Sequence, residues 1–228
     1  MQTASQMMTL RTRTAFTILD TSANYGVNTD SATTIGGGFW GSGTSTAPYL
    51  KKGLLTAARR IILQTNGRAR MKDLRLILNP IDAVTISASA EIHDYVKSSV
   101  YSQPMITGDL NDNPNEAYGI PPRLHGIEVI VEDTPYVSDR PYADGTAGTR
   151  AYIKAANSAV IVYRPGGMDG AYGSKAFSSL QTFFYKYEMA VETKSEAWDR
   201  LINGSVVEWY VHKLVAPMTA FYVSAIIS

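Results

Sequence analysis

Residues 181–215 read "QTFFYKYEMAVETKSEAWDRLINGSVVEWYVHKLV". Phe183, Tyr185, Tyr187, Met189 and Val191 fall on alternate positions, and Thr182, Lys186, Glu188 and Glu192 lie mostly between them. A period of two marks a strand with two unlike faces. At about 3.3 Å per residue the stretch 181–192 would run roughly 40 Å, long for a strand of a globular domain. "KSEAWDRLINGS" (194–205) then turns the chain back. Asn203-Gly204-Ser205 predicts a tight turn before the return, with Gly204 at positive φ. The same tripeptide matches a glycosylation sequon, although nothing else in the sequence points to secretion. Residues 205–215 return with Val207, Trp209, Val211 and Val215 on one face. The expectation is a long antiparallel hairpin, with Trp209 buried against the Phe183–Val191 face. Trp198, beside Asp199 and Arg200 in the reversal, is expected to serve contacts outside the subunit.

The chain around this hairpin alternates helical and strand signals. Residues 4–19 read as a helix, with Met7, Leu10, Ala15, Phe16 and Leu19 apolar. "GGGFWGSGTSTAP" (36–48) reads as a flexible joint. Pro48 suits the start of a second helix, whose Leu50, Leu54, Ala57, Ala58, Ile61 and Ile62 recur on one face before Asn66-Gly67 stops it. "LRLIL" (74–78) is a short buried strand ended by Asn79-Pro80, with short helices expected over 81–88 and 90–99. "IEVIVED" (127–133) and "AVIVY" (159–163) are strands, and "TAFYVSAII" (219–227) is the last. Residues 104–123 and 138–150, dense in Pro, Gly, Asn and Asp, read as loops.

Composition narrows the chemistry. The 228 residues carry a net charge of +1, so overall charge singles out neither nucleic acid nor a membrane surface as partner. No cysteine is present, which removes disulfides, thiolate nucleophiles and zinc–cysteine sites. The first residues lack the apolar core of a signal peptide. The apolar run from Leu214 is broken by Pro217 and falls short of the roughly 20 residues that span a bilayer. Charge is unevenly spread. Lys51, Lys52, Arg59, Arg60, Arg68, Arg70, Lys72 and Arg75 face only Asp73 within residues 51–75, whereas residues 76–149 hold eleven acids and three bases. Such segments are either two solvated surfaces or complementary patches meeting between subunits; a basic patch turned toward nucleic acid is the weaker reading.

Catalytic and metal motifs are incomplete. "AVIVYRPGGMDGAYGSK" (159–175) sends a strand into a glycine-rich loop and a lysine, the outline of a phosphate-binding loop. That loop needs Gly-Lys followed by Ser or Thr, and here Ser174 precedes Lys175. "DLNDNP" (109–114) opens like a calcium loop but has Pro114 where glycine is needed and Ile120 where the closing acid belongs. His93, His125 and His212 show no helical metal-ligand spacing, and no G-x-S-x-G elbow occurs. No catalytic residue, cofactor or metal is therefore expected. The rival from another class is an α+β nucleotide-binding enzyme using the Gly166–Lys175 loop.

The order of the segments carries a resemblance. "LRLILNPIDAVTISAS" (74–89) and "RLHGIEVIVEDTPYV" (123–137) resemble the central-domain segments of tailed-bacteriophage major capsid proteins with the Hong-Kong-97-type fold. "AFTILDTSANYG" (15–26), "FWGSGTSTAP" (39–48) and "LLTAARRIILQTNGR" (54–68) resemble the passage from that family's spine helix to its next helix, and the hairpin and last strand complete the order. The resemblance implies an α+β chain. Its spine helix and part of the peripheral P-domain would occupy 1–65, a central A-domain 66–177, the long P-domain hairpin 178–215, and a strand returning to the A-domain 216–228. It implies a structural subunit that assembles through pentamers and hexamers into an icosahedral shell around DNA. Scaffold, portal or decoration proteins are the further partners it implies, with no membrane. An encapsulin-type shell around enzyme cargo uses the same fold and is the alternative. The candidate contact residues are Phe183, Tyr185, Tyr187 and Trp209 on the hairpin, Trp198, Asp199 and Arg200 at its reversal, and Arg59 and Arg60 on the basic helix. The family's N-terminal arm and extended loop have no counterpart among these residues, so their interlocking is not carried over, nor is any cross-link.

Overall fold

The computed structural model describes residues 2–42, 47–97, 118–137, 150–164, 178–185, 190–196 and 201–228. The fold is α+β, built on a mixed six-stranded sheet. Its strands are β1 (Thr29–Ser31), β2 (Leu74–Leu78), β3 (Arg123–Leu124), β4 (Ile127–Val131), β7 (Ser158–Tyr163) and β12 (Ala220–Ser224), in the order β1-β12-β7-β2-β4-β3. β1 runs parallel to β12 and β2 parallel to β4; the other neighbours are antiparallel. β5 (Pro135–Val137) and β6 (Arg150–Tyr152) form a separate small ribbon.

Both faces of the sheet are covered. Leu74, Leu76 and Leu78 of β2, Ala159 and Ile161 of β7, and Phe221 and Val223 of β12 point into one core. That core is closed by α3 (Tyr49–Gln64), α4 (Pro80–Ser87) and α5 (Ala90–Lys97). The alternate residues Ile77, Val160 and Ala220 meet Phe16 and Leu19 of α1 (Gln2–Leu19) in a second core. The period-two strands thus supply two layers of apolar contact at once, which is why "LRLIL" and "SAVIVY" read as nearly continuous apolar runs.

Local signals set two of the helix ends. Asn79 caps α4, its side-chain oxygen accepting from the Ile81 N–H at 2.8 Å, with Pro80 at the first helical position. Asn66 and Gly67 both take positive φ after α3, as the Asn-Gly pair predicts. The start of α3 has a distant cap: Glu91 of α5 accepts from the Leu50 and Lys51 N–H groups at 2.9 and 3.0 Å. A carboxylate there satisfies orphan donors and complements the helix dipole.

The flexible-joint reading of residues 36–48 is corrected for residues 36–42. α2 (Ala32–Gly36) ends at the first of them, and Trp40 is 1% exposed in the main core. A β-carbon at Gly53 would lie 2.6 Å from the Trp40 indole nitrogen, and one at Gly36 would lie 2.6 Å from the Tyr49 carbonyl oxygen. These glycines serve close approach of α2, α3 and the indole. The Gly204 turn is corrected too. Asn203, Gly204 and Ser205 lie inside a strand, paired with Lys194, Thr193 and Glu192. The ladder overrides the local Asn-Gly preference.

A buried polar node joins the end of α1 to the sheet. Lys154 is fully buried; its ammonium ion-pairs with Asp20 at 2.7 Å and donates to the Ser158 hydroxyl at 2.6 Å and carbonyl at 3.1 Å. Asp20 also accepts from the Ala155 N–H at 2.8 Å. Asp82 of α4 accepts from the Asn157 N–H at 2.9 Å, and the Asn79 amide donates to the Lys154 carbonyl at 2.5 Å. Burial lowers the pKa of Lys154, opposed by the Asp20 charge, and burial raises that of Asp82, opposed by the two backbone donors.

Candidate assembly surface

The hairpin is built in two registers. β8 (Leu180–Phe184) pairs with β11 (Tyr210–Leu214), Phe184 opposite Tyr210. β9 (Ala190–Glu196) pairs with β10 (Leu201–Val207), Ala190 opposite Val207. The Phe183–Val191 face expected from the alternation runs through residues 186–189, which lie outside the described residues.

The base of the hairpin is fastened to the central sheet and to α1. Ser179 accepts from the Tyr163 N–H at 3.0 Å through its hydroxyl, which also bonds the Thr219 hydroxyl at 2.8 Å. Arg11 of α1 pairs with Glu208 at 3.1 Å and lies 4.9 Å from the centre of the Phe184 ring. The His212 Nε2–H donates to the Arg11 carbonyl at 3.1 Å, leaving Nδ1 to accept from the Thr182 hydroxyl at 2.8 Å. α1 thus covers the face that bears Phe184, His212 and Leu214.

The opposite face is open. Phe183, Val211 and Val215 are exposed there, with Tyr185 82% and Trp209 62% exposed. The Tyr185 and Trp209 rings sit 6.0 Å apart, tilted by 32°. Trp209 does stand beside the aromatic face, but solvent rather than core lies over it. The expected burial of Trp209 is wrong because α1 takes the other face. Trp209→Ala should accordingly change subunit stability by no more than about 1 kcal/mol, in the range of exposed substitutions; a loss of several kcal/mol in urea unfolding would contradict its placement.

Of the basic helix, Arg59 is exposed. Arg60 is engaged within the chain: it pairs with Asp30 at 2.8 Å and lies over the Phe221 ring at 5.6 Å. Arg75 likewise pairs with Glu128 across the sheet at 2.9 Å. The run is therefore no undivided contact patch, and reversing Arg60 would break an ion pair within the chain. Tyr187, Trp198, Asp199 and Arg200 lie outside the described residues, as do the Gly166–Lys175 loop, Asp109–Pro114 and most of both acidic loops. Glu208 was not anticipated as a site residue. Its signal was present: a lone acid inside the apolar run "VVEWYV" (206–211).

Two histidines make stability depend on pH. Burial, helped by the Arg11 charge and opposed by the Arg11 carbonyl bond and Glu208, lowers the pKa of His212 below 6.5. Burial and Lys51 lower that of His125. The unfolded chain then takes up protons near pH 6.5 that the folded chain refuses. Stability should be intact above pH 6.5 and fall as pH drops through the lowered folded values. Urea unfolding between pH 7 and pH 5 checks this, and His212→Gln should flatten the slope; an unchanged slope would remove His212 as its source.

Among the described residues no helix is long and apolar enough to cross a membrane. No family model matches the chain, and no curated protein matches it. Among solved structures it is similar to a phage-related protein from Bordetella bronchiseptica, at a TM-score of 0.66 with 16% sequence identity. The match covers 99% of this chain and 66% of that one, so this chain spans just under two thirds of its neighbour's length. At that identity, the two share a fold.

Proposed function

We propose that the chain is a non-catalytic shell subunit, a major capsid protein of the Hong-Kong-97 type that assembles into an icosahedral particle around phage DNA. In this reading α1 is the spine helix, the six-stranded sheet is the heart of the A-domain, and β8–β11 form the P-domain arm. The observation that carries it is the arm. A two-stranded ribbon is marginal in water on its own. This one adds the exposed aromatic face of Phe183, Tyr185 and Trp209, a composition typical of the centres of protein interfaces. Unpaired strand edges and exposed apolar patches both call for a partner. The fold shared with a phage-related protein supports the same reading. The partners are copies of the chain in pentamers and hexamers, packaged DNA, and portal, scaffold or decoration proteins.

Negative-stain imaging of the purified chain tests this. Closed shells with five- and six-membered rings are expected, and a field of single subunits at every concentration would overturn it. DNA inside particles recovered from the natural host supports a capsid; enclosed protein cargo instead would favour the encapsulin reading.

A further inference from the structure

The parallel strands β2 and β4 are neighbours in the sheet, and the chain leaves their carboxyl ends in opposite directions. From β2 it enters α4, whose Ala83 and Ile86 pack in the main core. From β4 it enters the ribbon β5–β6, and Tyr136 and Ile153 there pack in the second core, on the other face of the sheet. Parallel neighbours that part in this way open a crevice beyond their carboxyl ends, which is where open α/β sheets take ligands.

A cleft of about 760 Å³ occupies that place, within the size range of small-molecule sites. Ile81 of α4, Tyr118, Asp133, Arg150 and Tyr152 line it. Arg150 and Tyr152 stand two residues apart on β6 and so share one face of the ribbon. The Tyr118 hydroxyl donates to Asp133 Oδ2 at 3.1 Å, which ties that phenol to the carboxylate. Asp133 and Arg150 are exposed, as are Tyr152 and Ile81. The Arg150 guanidinium and the second Asp133 oxygen have no hydrogen-bond or ion-pair partner among the described residues.

We infer that this crevice binds a nucleotide. The free guanidinium takes the phosphate through two parallel N–H donors. The phenol rings of Tyr118 and Tyr152 offer stacking surfaces to the base. Asp133 accepts from a sugar hydroxyl or a base amino group, the part an acid plays beyond a strand end in dinucleotide-binding sheets. A bare anion would meet Arg150 but leave both rings unused and stand near a carboxylate. A bare cation would meet Asp133 and stand near Arg150. A phosphate joined to a ring that carries donors uses all four side chains. Two sources supply that chemistry: a free nucleoside phosphate, or one nucleotide of a single strand. The site lies within one chain, so it stands apart from the assembly reading above.

Titration calorimetry of the full chain tests it with three probes: adenosine monophosphate, adenosine and inorganic phosphate. Adenosine monophosphate should bind once per chain and more tightly than either half alone. Arg150→Gln should weaken it about tenfold or more, the scale of a lost charged hydrogen bond, and leave adenosine unchanged. Tyr152→Ala should weaken adenosine and adenosine monophosphate alike, again about tenfold. Should that variant lose stability, Tyr152→Leu keeps apolar bulk without a stacking ring. A short oligothymidine strand separates the sources. If it binds more tightly than adenosine monophosphate and fails with the same variants, the ligand is a strand; if it does not bind while adenosine monophosphate does, the ligand is a free nucleotide. No heat from adenosine monophosphate or the strand, binding untouched by the variants, or inorganic phosphate binding as tightly as the nucleotide overturns the inference.

Discussion

Lys154→Met should cost about 3–5 kcal/mol of subunit stability, the range for removing one partner of a buried ion pair. The lysine is fully buried, its ammonium lies 2.7 Å from Asp20, and its charge favours the ionised form of Asp82 against the cost of burial. The substitution keeps the volume of the stem but leaves Asp20 in a nearly closed site and removes the donor to both Ser158 oxygens. The end of α1 would lose its tie to the loop that leads into β7. Urea unfolding at neutral pH measures the loss. Adding Asp20→Asn and Asp82→Asn to Lys154→Met should recover part of it, because the buried negative charges go with their partner. A single variant that unfolds at the wild-type midpoint would show the node to be dispensable.

Trp40→Ala should cost a similar amount, about 3–5 kcal/mol for emptying a packed aromatic site. The indole is 1% exposed and sits against Gly53 closely enough that a β-carbon there would approach its nitrogen to 2.6 Å. Gly53→Ala should therefore destabilise as well, through overpacking rather than a cavity. Trp40→Ala and Trp209→Ala form a pair. The first removes core and the second removes surface, so their unfolding midpoints should separate widely. Equal midpoints would mean that one of the two indoles is misplaced.

The strands and helices of this chain were legible where one element satisfies a local pattern. Asn79-Pro80 announced the start of α4, Asn66-Gly67 the end of α3, and "LRLIL" and "AVIVY" the centre of the sheet. The hairpin was legible as two pairing strands. Which of its faces would be covered was not, because both carry apolar residues: Phe184 and Leu214 on one, Phe183 and Val211 on the other. Only the position of α1 decides between them, and that is a contact across nearly the whole chain. Glycines at 36–41 looked like a joint because composition alone does not separate freedom from close packing. Lys154 gave no signal within "AYIKAANSAV" (151–160), since Asp20 and Asp82 reach it only in the folded chain.

The central claim is that this chain is made to bind copies of itself through the open face of its hairpin. Sedimentation velocity of the purified protein over a range of concentrations tests it most directly. The account predicts discrete assemblies far heavier than the 24.9 kDa single chain, lost when Trp209 is replaced by alanine while the melting curve stays in place. A single species at the mass of one chain, unchanged at every concentration, would contradict it.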